Sequence, residues 1–274
     1  VTSEVWLRPK GDVGIMVEAE SITPESLSGK TTEQIEALSV MQGPMKLNLS
    51  EFFDVEVRGG GGGGGANPEQ TTIVIDGDVT RVKRIGQGMK EGSIEILGST
   101  GMHVGSEMEG GIIHVKGDVG SWAGMEMKGG LIRVDGNAGD HVGCAYRGSW
   151  YGMSGGAIQI GGNVKSQLGG GMSGGMITVG GNVENFCGIR QNNGLILVKG
   201  WATRGIGAEM IGGTIAVCGG VQQFSPGFVE VGSMRDLQLN ESLLEGKFTK
   251  FAGDYAISKN PKGVLYILEG GMPD

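Results

Sequence analysis

Aromatic side chains are scarce in this chain, with four Trp, four Tyr and seven Phe among 274 residues. An interior short of rings has to be filled by aliphatic groups. Histidine and cysteine number three each. Cys144, Cys187 and Cys218 lie far apart, with no CxxC pair and no nearby His pair. That excludes a zinc knuckle, an iron–sulfur ligand set and a disulfide framework. Long apolar runs and a secretory leader pattern are also missing, so no membrane partner is expected and a reducing cytoplasm is the expected compartment. Cations are outnumbered, 22 Lys and Arg against 30 Asp and Glu, for a net charge of −8. Such a balance disfavours nucleic acid or an anionic membrane surface as the main partner.

Glycine is the opposite case, at 57 residues. Without a period it would signal low complexity. Here it recurs at a 19-residue step: Gly98, Gly117 and Gly136, then, after one longer interval, Gly162, Gly181, Gly200 and Gly219. A second series, Gly86, Gly105, Gly124, Gly143, Gly169, Gly188 and Gly207, keeps the same step. Repeats of this size belong to solenoids, whose units cannot bury their apolar faces alone.

Stacked copies turn the sequence into ladders. Four residues before the first glycine series stand Ile94, Ile113, Ile132, Ile158, Ile177, Ile196 and Ile215, and two before it Ile96, Val115, Val134, Ile160, Val179, Val198 and Val217. Two in-line rows of β-branched residues suit the inner face of a strand. Glu95, His114, Arg133, Gln159 and Thr178 fall on the outer face. Asp78, Asp118, Asn137, Asn163 and Asn182 follow the glycine as an Asx ladder suited to a tight turn. The opposite wall carries Ile85, Val104, Ala123, Val142, Leu168, Cys187 and Ile206, and then Met89, Met108, Met127, Met172 and Met210.

The fold class implied is all-β: a right-handed parallel β-helix of ~19-residue coils, with a small N-terminal α/β flank and a C-terminal β cap. Residues 1–70 form the flank, 71–222 the coils, and 223–274 the cap or partner-contact segment. Thr23-Pro24-Glu25 is an N-cap followed by proline, and Thr31 to Gln34 forms a capping box, so two short helices are expected there. An extended start at Glu4–Leu7 and a strand-like stretch at Met45–Val57 complete the flank. The seven-glycine run Gly59–Gly65 is expected to be a flexible loop. At the other end, Phe248–Ile257 and Val264–Leu268 are expected to pair as a hairpin covering the open sheet edge.

No residue pattern supports chemistry, so no catalytic, cofactor-binding or metal site is expected in the chain. His103, Trp122 and His141 share one ladder position, but His103 and His141 are two coils, roughly 10 Å, apart, too far for one ion. The glycines of the repeat are not followed by Lys-Ser/Thr and are turns. One coil does break the period, at 26 residues (131–156), with its surplus in Cys144–Ser154. Tyr146 is read as replacing the methionine there, with Ser149-Trp150-Tyr151 bulging outward. Tyr, Trp and Arg dominate interface hot spots, so Tyr146, Arg147, Trp150 and Tyr151 are the expected partner contact. Arg190-Gln191-Asn192-Asn193, replacing Met-x-Gly-Gly, is a weaker candidate for the same role.

The repeat, the Tyr146–Gly156 coil, IDGDV at Ile75–Val79, RIGQGM at Arg84–Met89 and FAGDYAI at Phe251–Ile257 together resemble the C subunit of formylmethanofuran dehydrogenase. The glycine repeat alone is similar to the C-terminal β-helix of the large glutamate synthase subunit, and a related polypeptide occurs in the formyltransferase/hydrolase complex of methylotrophs. The resemblance implies an archaeal oxidoreductase complex that reduces CO2 to a formyl group on methanofuran, the first step of methanogenesis. It also implies partners: a tungsten- or molybdenum-pterin subunit, an amidohydrolase subunit with a dinuclear metal site, and iron–sulfur subunits. This chain would be their non-catalytic scaffold.

Overall fold

In a computed structural model, the chain is described at residues 3–11, 13–59, 67–240 and 242–270. Gly60–Gly65 of the glycine run, and with them the loop expected there, lie outside the described residues. The N-terminal region contains β1 (Ser3–Pro9), β2 (Val17–Glu18), α1 (Pro24–Leu27), α2 (Thr32–Glu36), β3 (Ser39–Gln42), β4 (Met45–Asn48) and β5 (Phe53–Gly59). Both helices start at the expected caps. The Thr23 hydroxyl accepts from the Ser26 amide, and Thr31 and Gln34 satisfy each other's backbone amides. The stretch expected as one strand over Met45–Val57 is interrupted. A 3-10 turn at Leu49–Glu51, capped by Asn48 and Glu51, tucks Leu49 into the core between β4 and β5.

Strands β6 (Thr71–Ile75), β7 (Val82–Lys83), β8 (Ser93–Ile96), β9 (Ile112–Val115), β10 (Leu131–Val134), β11 (Ala157–Ile160), β12 (Ser173–Val179), β13 (Asn193–Val198), β14 (Trp201–Arg204), β15 (Thr214–Val217) and β16 (Gly220–Gln223) follow. From β6 to β15, leaving aside the short β7 and β14, each strand pairs in parallel with the next. The register sets Ile113 beside Ile132 and Ile132 beside Ile158, so the isoleucine column is continuous. Its members Ile94 through Ile215 are at most 1% exposed. At ~1.5–3 kcal/mol per fully buried aliphatic side chain, this column is a principal source of stability.

A second ladder of parallel bridges joins Val79, Thr100, Val119, Ala138, Val164, Val183 and Ala202, continuing as the β14–β16 pair. Between the two ladders runs the Asx column. The side-chain oxygen of Asp118 accepts from the Asn137 amide (2.6 Å), Asn137 from Asn163 (2.9 Å), Asn163 from Asn182 (2.8 Å) and Asn182 from Trp201 (2.8 Å). Ser99, not counted in that column from sequence, supplies the rung below by accepting from the Asp118 amide. In the glycine column, Gly124 has φ 62°, and a Cβ there would lie 2.5 Å from the Ile158 Cδ1. Only glycine meets both the left-handed backbone and the close approach.

The last strands are β17 (Val229–Leu239), β18 (Ser242–Gly253) and β19 (Gly263–Leu268). β19 pairs in parallel with β15 and antiparallel with β18. The hairpin expected at this end forms, but its first strand begins at Ser242 rather than Phe248 and stops at Gly253 rather than Ile257. Asp254 stops it: its carboxylate accepts the amides of Glu209 and Ala256 and fastens the terminal turn to the adjoining coil. An eleven-residue strand, β17, extends this cap with no sequence-based expectation behind it. At the opposite end β1 lies parallel to β6 and antiparallel to β5, so thirteen of the nineteen strands form one sheet with β5 and β17 at its edges.

The outward column of this sheet changes character along its length. It runs Glu95, His114, Arg133, Gln159, Thr178, Leu197, Ala216 and Tyr266. Its charged half forms surface pairs, with His114 Nε2 3.0 Å from the Asp135 carboxylate, which that bond holds below its ordinary value. Its apolar half is covered by the β17–β18 hairpin, where Leu197, Ala216, Leu237 and Phe248 form a second core.

Candidate partner-docking site

The turn column before the second glycine series holds the side chains from which the site is built. Arg84, His103, Trp122, His141, Gln167 and Phe186 all have φ between 62 and 68°. Non-glycine residues take that conformation only under constraint. Hydrogen bonds between successive coils supply the constraint: the Trp122 amide donates to Asp140 O (2.8 Å) and the His141 amide to Ser166 O (2.9 Å). The side chains consequently stack. His103 and Trp122 rings are 6.0 Å apart and 11° from parallel, and Trp122 and His141 are 4.1 Å apart and 23° from parallel. Burial lowers the affinity of both imidazoles for a proton, reinforced at His103 by Arg84 and Lys83.

The long coil departs from this column immediately after His141. Its surplus is Ala145–Tyr151, pinned at both ends to the next coil by the Ala145 amide on Gly170 O (2.9 Å) and the Gly152 amide on Gly171 O (2.7 Å). Glu126, one coil below, accepts the Tyr146 amide at 3.0 Å. The expectation that Tyr146 replaces the methionine is incorrect. Met153 takes that place, fully buried, its amide bonded to Gly143 O as Met127 is to Gly124 O, while Tyr146 is 54% exposed. The phenol cannot enter a column lined by Ile and Met without burying an unpaired hydroxyl. Trp150 and Tyr151 are 68% and 66% exposed, and Arg147 is exposed beside them.

The second departure from the repeat comes to the same place. The Arg190 guanidinium lies 5.1 Å from the Trp150 ring and is held there by Glu209 (2.8 Å). The frame read from sequence shifts by one: Gln191, not Arg190, stands in the methionine column, fully buried, donating to the carbonyls of Asn193 and Gly194. Its Oε1 has no partner. Sequence reasoning treated the two breaks as separate, yet Trp150 and Arg190 border one cleft of about 360 Å³ with Trp122, His141, Gly171 and Ile189. The signal was available, because both breaks lie in the same turn column, two coils apart.

The donor groups do not fit the cofactors that the sequence resemblance implies for the complex. Cys144 and Cys187 are buried, their thiols pushed up to about 12 by desolvation, and burial also raises Cys218. Among the described residues no cluster of three or more His, Cys, Asp or Glu could hold a metal ion, and no helix is long and apolar enough to cross a membrane. What the site offers is a base of stacked rings beside an exposed aromatic and cationic loop.

No protein-family model matches the chain. It is 63% identical over 272 residues to the C subunit of molybdenum-containing formylmethanofuran dehydrogenase 1 of Methanosarcina barkeri, covering 99% of this chain and 89% of that protein. It is 43% identical over 102 residues to the C subunit of tungsten-containing formylmethanofuran dehydrogenase 2 of Methanothermobacter wolfeii, 37% of this chain and 36% of that protein. Among solved structures, a chain of the formyltransferase/hydrolase complex FhcABCD from Methylorubrum extorquens, in complex with methylofuran, superposes with a TM-score of 0.81 at 26% identity, covering 96% of this chain and 99% of that one. Identity of 63% sustained from end to end means that this chain belongs to the family of formylmethanofuran dehydrogenase C subunits.

Proposed function

We propose that this chain is the non-catalytic scaffold subunit of a cytoplasmic archaeal formylmethanofuran dehydrogenase, a complex that reduces CO2 and attaches it to methanofuran as a formyl group. The pterin-bound tungsten or molybdenum, the iron–sulfur clusters and the dinuclear metal site belong, on this reading, to other subunits. The strands are the walls of a right-handed parallel β-helix, with residues 71–222 as coils and residues 1–70 and 223–274 as its ends. Two separate ladders in a 19-residue register support that architecture, and the handedness follows the strong preference of parallel connections.

One observation carries the scaffold role: the sole 26-residue coil spends its surplus on an exposed Tyr146, Arg147, Trp150 and Tyr151 patch, braced by Arg190 from a different coil. Soluble proteins bury such rings unless a partner covers them. The test is recovery of partner chains with a tagged copy of this chain, comparing wild type with Trp150→Ala/Tyr151→Ala. Removing two central aromatic anchors should weaken assembly by about tenfold or more. Recovery equal to wild type would remove the patch from the interface. A subunit of a formyltransferase/hydrolase complex is the second reading, favoured by the 0.81 TM-score. Mass spectrometry of the same eluate separates the two, because a pterin-binding chain is expected only in the first.

A further inference from the structure

We propose that the cleft beside Trp150 receives an acidic segment of a partner subunit, with one carboxylate seated on the Arg147 guanidinium and a planar or apolar side chain against the Trp150 ring. This inference rests on the docking role of the same loop and adds the chemistry of what docks. Arg147 is exposed, and no hydrogen bond or salt bridge among the described residues engages it.

Among the described residues no carboxylate lines the cleft, and those that hold its neighbours are already engaged. Glu126 accepts the Tyr146 amide, Glu209 holds Arg190, and Asp140 accepts the Ser166 amide. The ring beside it is already ordered, because Arg190 covers one side of the Trp150 indole. An exposed guanidinium without a partner can grip a carboxylate bidentately at the cost of ordering its own side chain, while the Trp150 ring lining the same cleft is already held by Arg190. The chain as a whole carries a net charge of −8. Its general field therefore repels an acidic segment everywhere except at a local cation, which turns the same charge into specificity of place. A nucleic acid fits worse. A phosphodiester backbone brings one charge per nucleotide, which a chain of net charge −8 repels along its whole length.

The test uses the assembled complex carrying Arg147→Lys, which keeps the charge and adds a primary amine. Treatment with a water-soluble carbodiimide joins that amine to a carboxylate in direct contact, with loss of water. Peptide mass spectrometry should find position 147 linked to an Asp or Glu of a co-purifying chain. In parallel, Arg147→Glu should lower partner recovery by about tenfold at physiological salt, since it sets like charges face to face. Both variants should melt like the wild type because the side chain is exposed. An assembled Arg147→Lys complex with no link from position 147, or an Arg147→Glu chain that assembles normally, overturns the inference. Loss of recovery by Trp150→Ala/Tyr151→Ala but not by Arg147→Glu means the loop docks and its occupant is not acidic. If neither variant alters recovery, the docking role itself fails.

Discussion

At the scale of single residues the methionine column separates two side chains that look equivalent in the sequence. Tyr146 stands three residues after Gly143, as Met108 stands after Gly105 and Met127 after Gly124. Spacing alone therefore nominates Tyr146, and burial awards the place to Met153. Met153→Ala is expected to cost ~2–5 kcal/mol in urea unfolding, as truncations of buried methionine do. Tyr146→Ala should stay within about 0.5 kcal/mol. The reverse ranking would return Tyr146 to the column. Spacing reads which columns are apolar because the period is strict, and it fails where an insertion makes the count ambiguous.

The stacked imidazoles carry a pH dependence whose sign follows from their burial. His103 and His141 both titrate below the ordinary 6.5 in the folded chain. As pH falls past that value the unfolded chain binds protons first, so stability is full above it and declines below it until the folded imidazoles also titrate. The urea midpoint should accordingly be lower at about pH 5.5 than at about pH 7.5, and a His103→Gln/His141→Gln chain should lose most of that difference. Equal midpoints in the wild type would contradict the burial of these rings.

At the scale of elements the insert is separable from the coil that bears it. Removing Ala145–Tyr151 restores a 19-residue step and brings Gly152 to the position of Glu126, whose φ is 53°. Glycine takes that conformation without strain. The shortened chain is expected to melt within about 4 °C of the full one and to lose its partners. A large drop in melting temperature would make the loop part of the fold. Elements with strong local signals were legible in advance: both helix caps, the apolar ladders and the β18–β19 pairing. β17 was not. Eight of its eleven residues are exposed in succession from Val229 to Asp236, so its sequence has no alternation of inward and outward residues to read.

At the scale of the whole molecule, the register was legible because every coil repeats the same inner residues. What covers the outer face was not, because that depends on a hairpin arriving from far along the chain. The outward column nevertheless held a hint: it turns apolar at Leu197, where the β17–β18 hairpin lies over it. The gathering of Trp150 and Arg190 is a property of the same scale, since only stacking brings breaks in different coils together.

The side-chain oxygens of Asp118, Asn137, Asn163 and Asn182 each receive the amide of the rung made after them. Every finished course thus presents a ready acceptor to the next stretch of polypeptide as it leaves the ribosome. Assembly can then proceed in the order of translation, each layer set by the one beneath it, and no layer has to wait for the C-terminus.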